Sequence, residues 1–141
     1  MSALAIGLLK KGCSVSGSDL VKNDETKKLE ELGAVIFTSQ IRQNIEFVIS
    51  KFTNKLINFV VSSAIKPENE EFSYCREKNL SIKHRSEILA MLMRTYTALA
   101  VAGSHGKTST STFLSTILEL CTRNSSSITG GIIPIYNSNC H

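Results

Sequence analysis

VAGSHGKTST, residues 101–110, sets two glycines, a lysine and a threonine in the order G-x-x-G-K-T, between a short apolar run and a long amphipathic one. The run before it, TALAVAGS (97–104), reads as a buried strand. The residues after it place Phe113, Ile117, Leu120 and Cys121 at i, i+4, i+7 and i+8, one apolar stripe of a helix over 107–121. Strand, glycine-bearing turn and helix are the context a phosphate loop requires. The first amides of the helix lack intrahelical partners and converge with the positive end of its dipole, and glycine lets the backbone close on an anion. Lys107 then reaches the outer phosphates and the Thr108 hydroxyl can ligate magnesium. The full pattern G-x-x-x-x-G-K-[ST] wants glycine at 101, where this chain has Val101. An ordinary strand-to-helix turn is therefore the competing reading of the same ten residues, and His105 within it is open between capping and packing.

Upstream the rhythm is helix, strand, helix, strand, which signals α/β architecture. Residues 1–11 are apolar on nearly every face, as in a helix wedged against a sheet, with Gly12 as its stop. CSVSGSD (13–19) reads as a short strand. Asn23 and Asp24 can cap a helix bearing Leu29 and Leu32, Gly33 ends it, and AVIFTS (34–39) follows as a strand, completing a βαβ unit. Residues 40–56 keep helical spacing through Ile41, Ile45, Val48, Ile49 and Phe52, broken at Thr53-Asn54. INFVVSSA (57–64) reads as a buried strand, Pro67 as the first turn of a helix carrying Phe72 and Cys75, and LSIKH (80–84) as a strand. Ser86 is the expected cap of SEILAMLMR, whose methionines and leucines are expected in the core.

The 141 residues suffice for one ordinary domain, and 42% apolar with 20% charged content is that of a globular protein. No apolar run approaches the roughly 18–20 residues that span a bilayer, and no small-residue cleavage site follows the N-terminal lysines. The expectations are no membrane partner and a cytoplasmic setting. The four cysteines are widely spaced with no C-x-x-C pair, which opposes a zinc site or disulfide framework, and the adjacent Cys140 and His141 fall short of four ligands. A net charge of +4 spread along the chain with few aromatics gives no nucleic-acid stripe.

Taken together, MSALAIGLLKKGCSVSGSDL, VVSSAIKPENEEF, HRSEILAMLMR and VAGSHGKTST resemble successive segments of the Mur ligases of peptidoglycan synthesis, most closely those that use L-alanine. The resemblance covers nearly the whole chain but only the first part of a three-domain family. It implies a Rossmann-like parallel-sheet domain for UDP-sugar over residues 1–96, and the start of a P-loop ATPase domain over 97–141. It also implies ATP and Mg²⁺ as cofactors, with UDP-N-acetylmuramic acid and L-alanine as substrates joined through an acyl phosphate. In the family's pattern Gly103, Ser104, His105, Gly106, Lys107, Thr108 and Ser109 are the ATP site, with Lys107 catalytic and Thr108 on the metal. Asp19 is similar to the acid offered to a ribose hydroxyl, and Ser62 and Ser63 resemble uridine-nucleotide contacts. From the residues alone, Asp19 is equally a turn residue and the two serines are equally strand-end caps.

The departures carry expectations too. Family members have a first strand and a glycine-rich turn before the segment that here begins at Met1, so the resemblance implies a missing diphosphate cradle and an unfilled central place in the sheet. The family's later magnesium ligands, modified lysine and amino-acid-binding domain lie beyond the segment ending at His141, so this chain is expected not to complete the reaction alone. Two alternatives share the same residues: a non-catalytic nucleotide-binding fragment, and the related ligase that attaches a recycled tripeptide to the same UDP-sugar. An unrelated P-loop ATPase or kinase accounts for residues 101–110 only.

Overall fold

The computed structural model describes residues 1–122 and 125–141. The elements run α1 (Ser2–Lys10), β1 (Ser16–Ser18), α2 (Asp24–Glu31), β2 (Val35–Phe37), α3 (Arg42–Lys51), β3 (Phe59–Val61) and α4 (Glu70–Glu77). They continue with β4 (Ile82–His84), α5 (Arg85–Met93), α6 (Lys107–Thr122), β5 (Ile128–Ile133), a 3-10 turn (Pro134–Tyr136) and β6 (Ser138–Cys140). The α/β alternation expected from the sequence is present. No helix among the described residues is long and apolar enough to cross a membrane.

Local chemistry explains the helix ends. Asn23 caps α2 by accepting from the Thr26 amide while the Thr26 hydroxyl accepts from the Asn23 amide, closing a capping box. At the other end of α1, Gly12 takes φ +79°, with its amide on the Leu9 carbonyl and the Cys13 amide on the Leu8 carbonyl. The same Schellman closure recurs at Gly33 (φ 93°) after α2 and at Asn79 (φ 52°) after α4. Each turns the chain directly into the following strand. Two cap assignments differ from expectation. The cap of α5 is His84, not Ser86, because the Glu87 carboxylate reaches back to the His84 amide at 2.7 Å and fixes the box two residues earlier in the chain. The cap of α4 is Asn69, which accepts from the Phe72 amide, so Pro67 lies in the preceding turn and not in the helix.

Strands β1 and β2 pair in parallel, with Ser16 opposite Val35, and β3 and β4 pair in parallel, with Phe59 opposite Ile82. These are two separate two-stranded ladders, and β5 and β6 form a third, antiparallel one. No described strand bridges β1 and β3. A cavity of about 370 Å³ is lined by Leu9 at the end of α1, Val15 before β1, and Phe47 and Val48 of α3.

The main core joins Ala3 and Ile6 of α1 to Leu29 of α2, Ala34 before β2 and Cys140 of β6. Gly7 lies at that contact: a Cβ there would sit in ordinary van der Waals contact with Ile128 at 3.4 Å and with the Cys140 sulfur at 3.5 Å. Three expectations about the core fail. Leu32 is 44% exposed because the closure at Gly33 turns it outward, and in α5 only Ile88 is buried, with Met91 exposed. The stripe of α6 is bare: Phe113 is 70%, Ile117 57% and Leu120 73% exposed, and Cys121 is exposed. It is the opposite side, with Ser115 buried, that meets β5. Nor do residues 97–104 form a strand, since a strand exists only with a ladder partner and β5 is paired with β6.

All four cysteines are free thiols, with Cys13 and Cys121 exposed and Cys75 and Cys140 buried. Burial, seconded by the Glu71 carboxylate, pushes the Cys75 thiol up from 9.0 to about 11. Iodoacetamide on the folded chain is therefore expected to label Cys13 and Cys121 fast and the other two only on unfolding, as mass spectrometry of time points would read. Because the unfolded thiol ionises first, the contribution of Cys75 to stability is complete below pH 9 and is lost as pH rises toward 11.

Candidate functional site

The loop before α6 is built by its two glycines. Gly103 takes φ +155° and Gly106 φ +74°, conformations in which a side chain would be strained, and between them the chain turns sharply into Lys107, the first residue of the 16-residue helix. The Lys107 ammonium donates to the carbonyls of Gly103 at 2.6 Å and Ser104 at 2.8 Å, so it is folded back across the loop. Ser104, His105, Thr108 and Ser109 are exposed around it. A cluster of amides at a helix start, one ammonium across them and a hydroxyl one residue later is a chemistry suited to an oxyanion-rich ligand.

Thr108 has neighbours that the sequence reading missed. A Cβ on Gly131 would lie 3.0 Å from the Thr108 methyl, tight enough that the threonine would have to give, and one on Gly130 would make ordinary contact with its hydroxyl at 3.7 Å, so β5 passes close to the start of α6. The Gly130-Gly131 pair inside a strand was the available signal, since glycine in a strand marks close approach.

Asp19, Ser62 and Ser63 follow the C-terminal ends of β1 and β3, the rim at which open α/β sheets take ligands. Asp19 is exposed; its amide donates to the Phe37 carbonyl and its Oδ1 accepts from the Val21 amide, both at 3.0 Å, so it makes the turn as well as facing solvent. Ser62 accepts from the Ile65 amide at 3.1 Å through its carbonyl, in a turn that leaves Ser63 exposed. Sequence reasoning also missed Asn44 and Glu71, which the fold brings to this rim: the Asn44 amide donates to the Ser39 carbonyl at 2.7 Å and to Glu71 Oε1 at 2.8 Å. At the chain's other end Cys140 and His141 diverge, Cys140 into the core and His141 onto the Tyr136 ring at 3.8 Å, near Glu119.

The pattern of the Mur ligase family, catalytic domain, matches residues 1–97. Over all 141 residues the chain is 71% identical to the UDP-N-acetylmuramate--L-alanine ligase of Prochlorococcus marinus subsp. pastoris, covering 30% of it. It is 44% identical over 139 residues to the enzyme of the same name from Roseobacter denitrificans, covering 28% of it. The chain thus spans a little under a third of the curated relatives it matches. Among solved structures, the UDP-N-acetylmuramate-alanine ligase MurC of Thermotoga maritima superposes with a TM-score of 0.83 at 23% identity, over 100% of this chain and 32% of that one. The UDP-N-acetylmuramate:L-alanyl-gamma-D-glutamyl-meso-diaminopimelate ligase of Neisseria meningitides gives 0.82 at 23% identity, over 94% of this chain and 40% of that one. The family match ends before the loop, whereas the identity to the Prochlorococcus protein runs through it. With its first 97 residues carrying the family pattern and its α/β frame superposing on two such ligases, the chain belongs to the Mur ligase family.

Proposed function

We propose that this chain supplies the nucleotide-binding regions of a cytoplasmic ATP-dependent ligase of peptidoglycan synthesis, which joins L-alanine to UDP-N-acetylmuramic acid. In this reading residues 1–96 hold the UDP-sugar and residues 97–141 open the ATP-binding domain. The observation that carries it is the loop: two glycines at positive φ, and an ammonium folded across them at the head of α6. Phosphoryl transfer to the lactyl carboxylate makes phosphate the leaving group, which the amine of L-alanine then displaces. Lys107 and the loop amides neutralise phosphoryl charge, and Gly103, Ser104, His105, Gly106 and Ser109 form the cradle wall. The Thr108 hydroxyl, exposed beside two glycines, suits a hard cation, and Mg²⁺ held there would shield charge on the phosphates. Asp19, Ser62 and Ser63 engage the uridine nucleotide at the rim.

Calorimetric titration with ATP, with Mg²⁺ and with excess EDTA, tests this on the wild-type chain and Thr108→Val. Magnesium is expected to tighten wild-type binding roughly tenfold, an increment of about one charge-assisted contact, and Thr108→Val to lose that increment while keeping its metal-free affinity. A folded wild-type chain that takes up no ATP in either condition would remove the loop from nucleotide binding.

A further inference from the structure

Ser18, Asn44 and Glu71 come from three different crossover units and meet at one carboxylate. We infer that Glu71 is a positioning residue for the UDP-sugar, tying the two parallel strand pairs together at their C-terminal rim and so setting the turn that carries Asp19. The inference rests on the proposed UDP-sugar reading of that rim. Glu71 occupies the first turn of α4, where its charge is favoured by the helix dipole. Its Oε2 accepts from the Ser18 hydroxyl at 2.5 Å, and its Oε1 accepts from Asn44 Nδ2 at 2.8 Å. Ser18 ends β1 and directly precedes Asp19; Asn44 is buried in α3 and also holds the Ser39 carbonyl after β2. One side chain following β3 thus reaches the end of β1 directly and, through Asn44, the segment after β2.

Strands β1 and β3 share no ladder, so at the rim the β1–β2 pair is joined to the β3–β4 side by side chains: Glu71 on Ser18 and Asn44, and Asn69 Nδ2 on Gln40 Oε1 at 2.8 Å. Asp19 rides on one pair, and Ser62 and Ser63 on the other. A ligand touching both needs their separation set beforehand, and binding weakens when that ordering is deferred to the ligand. The charge of Glu71 is dispensable for this role, because a glutamine oxygen can accept from Asn44 and its NH₂ can donate to the Ser18 hydroxyl.

The test is calorimetric titration of UDP-N-acetylmuramic acid and of Mg-ATP into the wild-type chain, Glu71→Ala, Glu71→Gln and Ser18→Ala, each checked for folding by circular dichroism. Glu71→Ala is expected to bind the UDP-sugar about tenfold more weakly, Ser18→Ala a few-fold more weakly, and Glu71→Gln within about twofold of wild type, with Mg-ATP affinity unchanged throughout. Equal UDP-sugar affinity in Glu71→Ala, or a Glu71→Gln as weak as Glu71→Ala, would overturn the inference, the latter by assigning the charge to the ligand itself. Should Glu71→Ala not fold, Ser18→Ala decides: unchanged UDP-sugar affinity overturns it. A folded wild-type chain that ignores the UDP-sugar overturns the underlying reading instead.

Discussion

Lys107→Ala is expected to reduce Mg-ATP affinity by about a hundredfold, roughly 2.7 kcal/mol, while leaving the melting temperature of the chain within a degree or two of wild type. The two halves of that expectation come from the same geometry. Lys107 is exposed and, among the described residues, its ammonium bonds to carbonyls of its own loop, Gly103 and Ser104, so water replaces it there at little cost to the fold. A phosphate has no such substitute, because the ammonium is the cation that the structure folds across the cradle, and a charged donor to an oxyanion is worth about twice a neutral one. Lys107→Arg separates charge from shape: it keeps the charge but brings a planar fork, and it is expected to fall between the two. A Lys107→Ala chain that binds Mg-ATP as tightly as wild type would place the nucleotide away from this loop, and the sharp turn at Gly103 and Gly106 would then serve only to start α6.

The glycines of the loop and the ends of α1 and α2 were legible in the sequence because each rests on chemistry confined to a few neighbouring residues. Gly12 and Gly33 close their helices with bonds five residues apart at most, and the Asn23 cap is complete within three. What the sequence did not reveal depends on partners. The Phe113–Ile117–Leu120 stripe has the period of a buried helix face, yet period states only that a face is apolar, and here the buried side of α6 is the one carrying Ser115. Residues 97–104 have strand propensity and no ladder, for the same reason. At the rim, Asp19, Ser62 and Ser63 stand at strand ends where the pattern put them, whereas Glu71 and Asn44 carry no signature: a glutamate in a helical first turn reads as dipole chemistry, and only the fold brings it to Ser18. The Ser86 cap failed because a histidine is a rare cap, and the decisive partner, Glu87, lay on the far side of it.

Ile6→Ala is expected to destabilise the chain by about 3 kcal/mol, lowering the melting temperature by about 10 °C and exposing Cys140 to alkylation. Ile6 is only 1% exposed and stands where α1 meets Leu29, Ala34 and Cys140. That cluster is where the N-terminal helix, the first βαβ unit and the C-terminal hairpin share one interior, with Ile128 and Cys140 packed close to Gly7 beside it. Its neighbours cannot collapse far into the space left by a lost side chain. Ala3 and Ala34 are already small, and the hairpin is tied to the same two helices by Asn139 on the Ser2 hydroxyl (2.9 Å) and on Glu25 (3.1 Å), with the Asn137 carbonyl accepting from Lys28. The cavity term therefore adds to the transfer term instead of being relaxed away. For a chain whose total stability is of order 5–15 kcal/mol, such a loss separates a folded population from a marginal one. The informative readout is the order of events. Since Cys140 packs in the Ile6 cluster and Cys75 is a buried residue of α4 outside it, Ile6→Ala should speed labelling of Cys140 before that of Cys75. Simultaneous release of both thiols would mean that the hairpin and the β3–β4 side unfold as one unit, in spite of sharing no strand ladder.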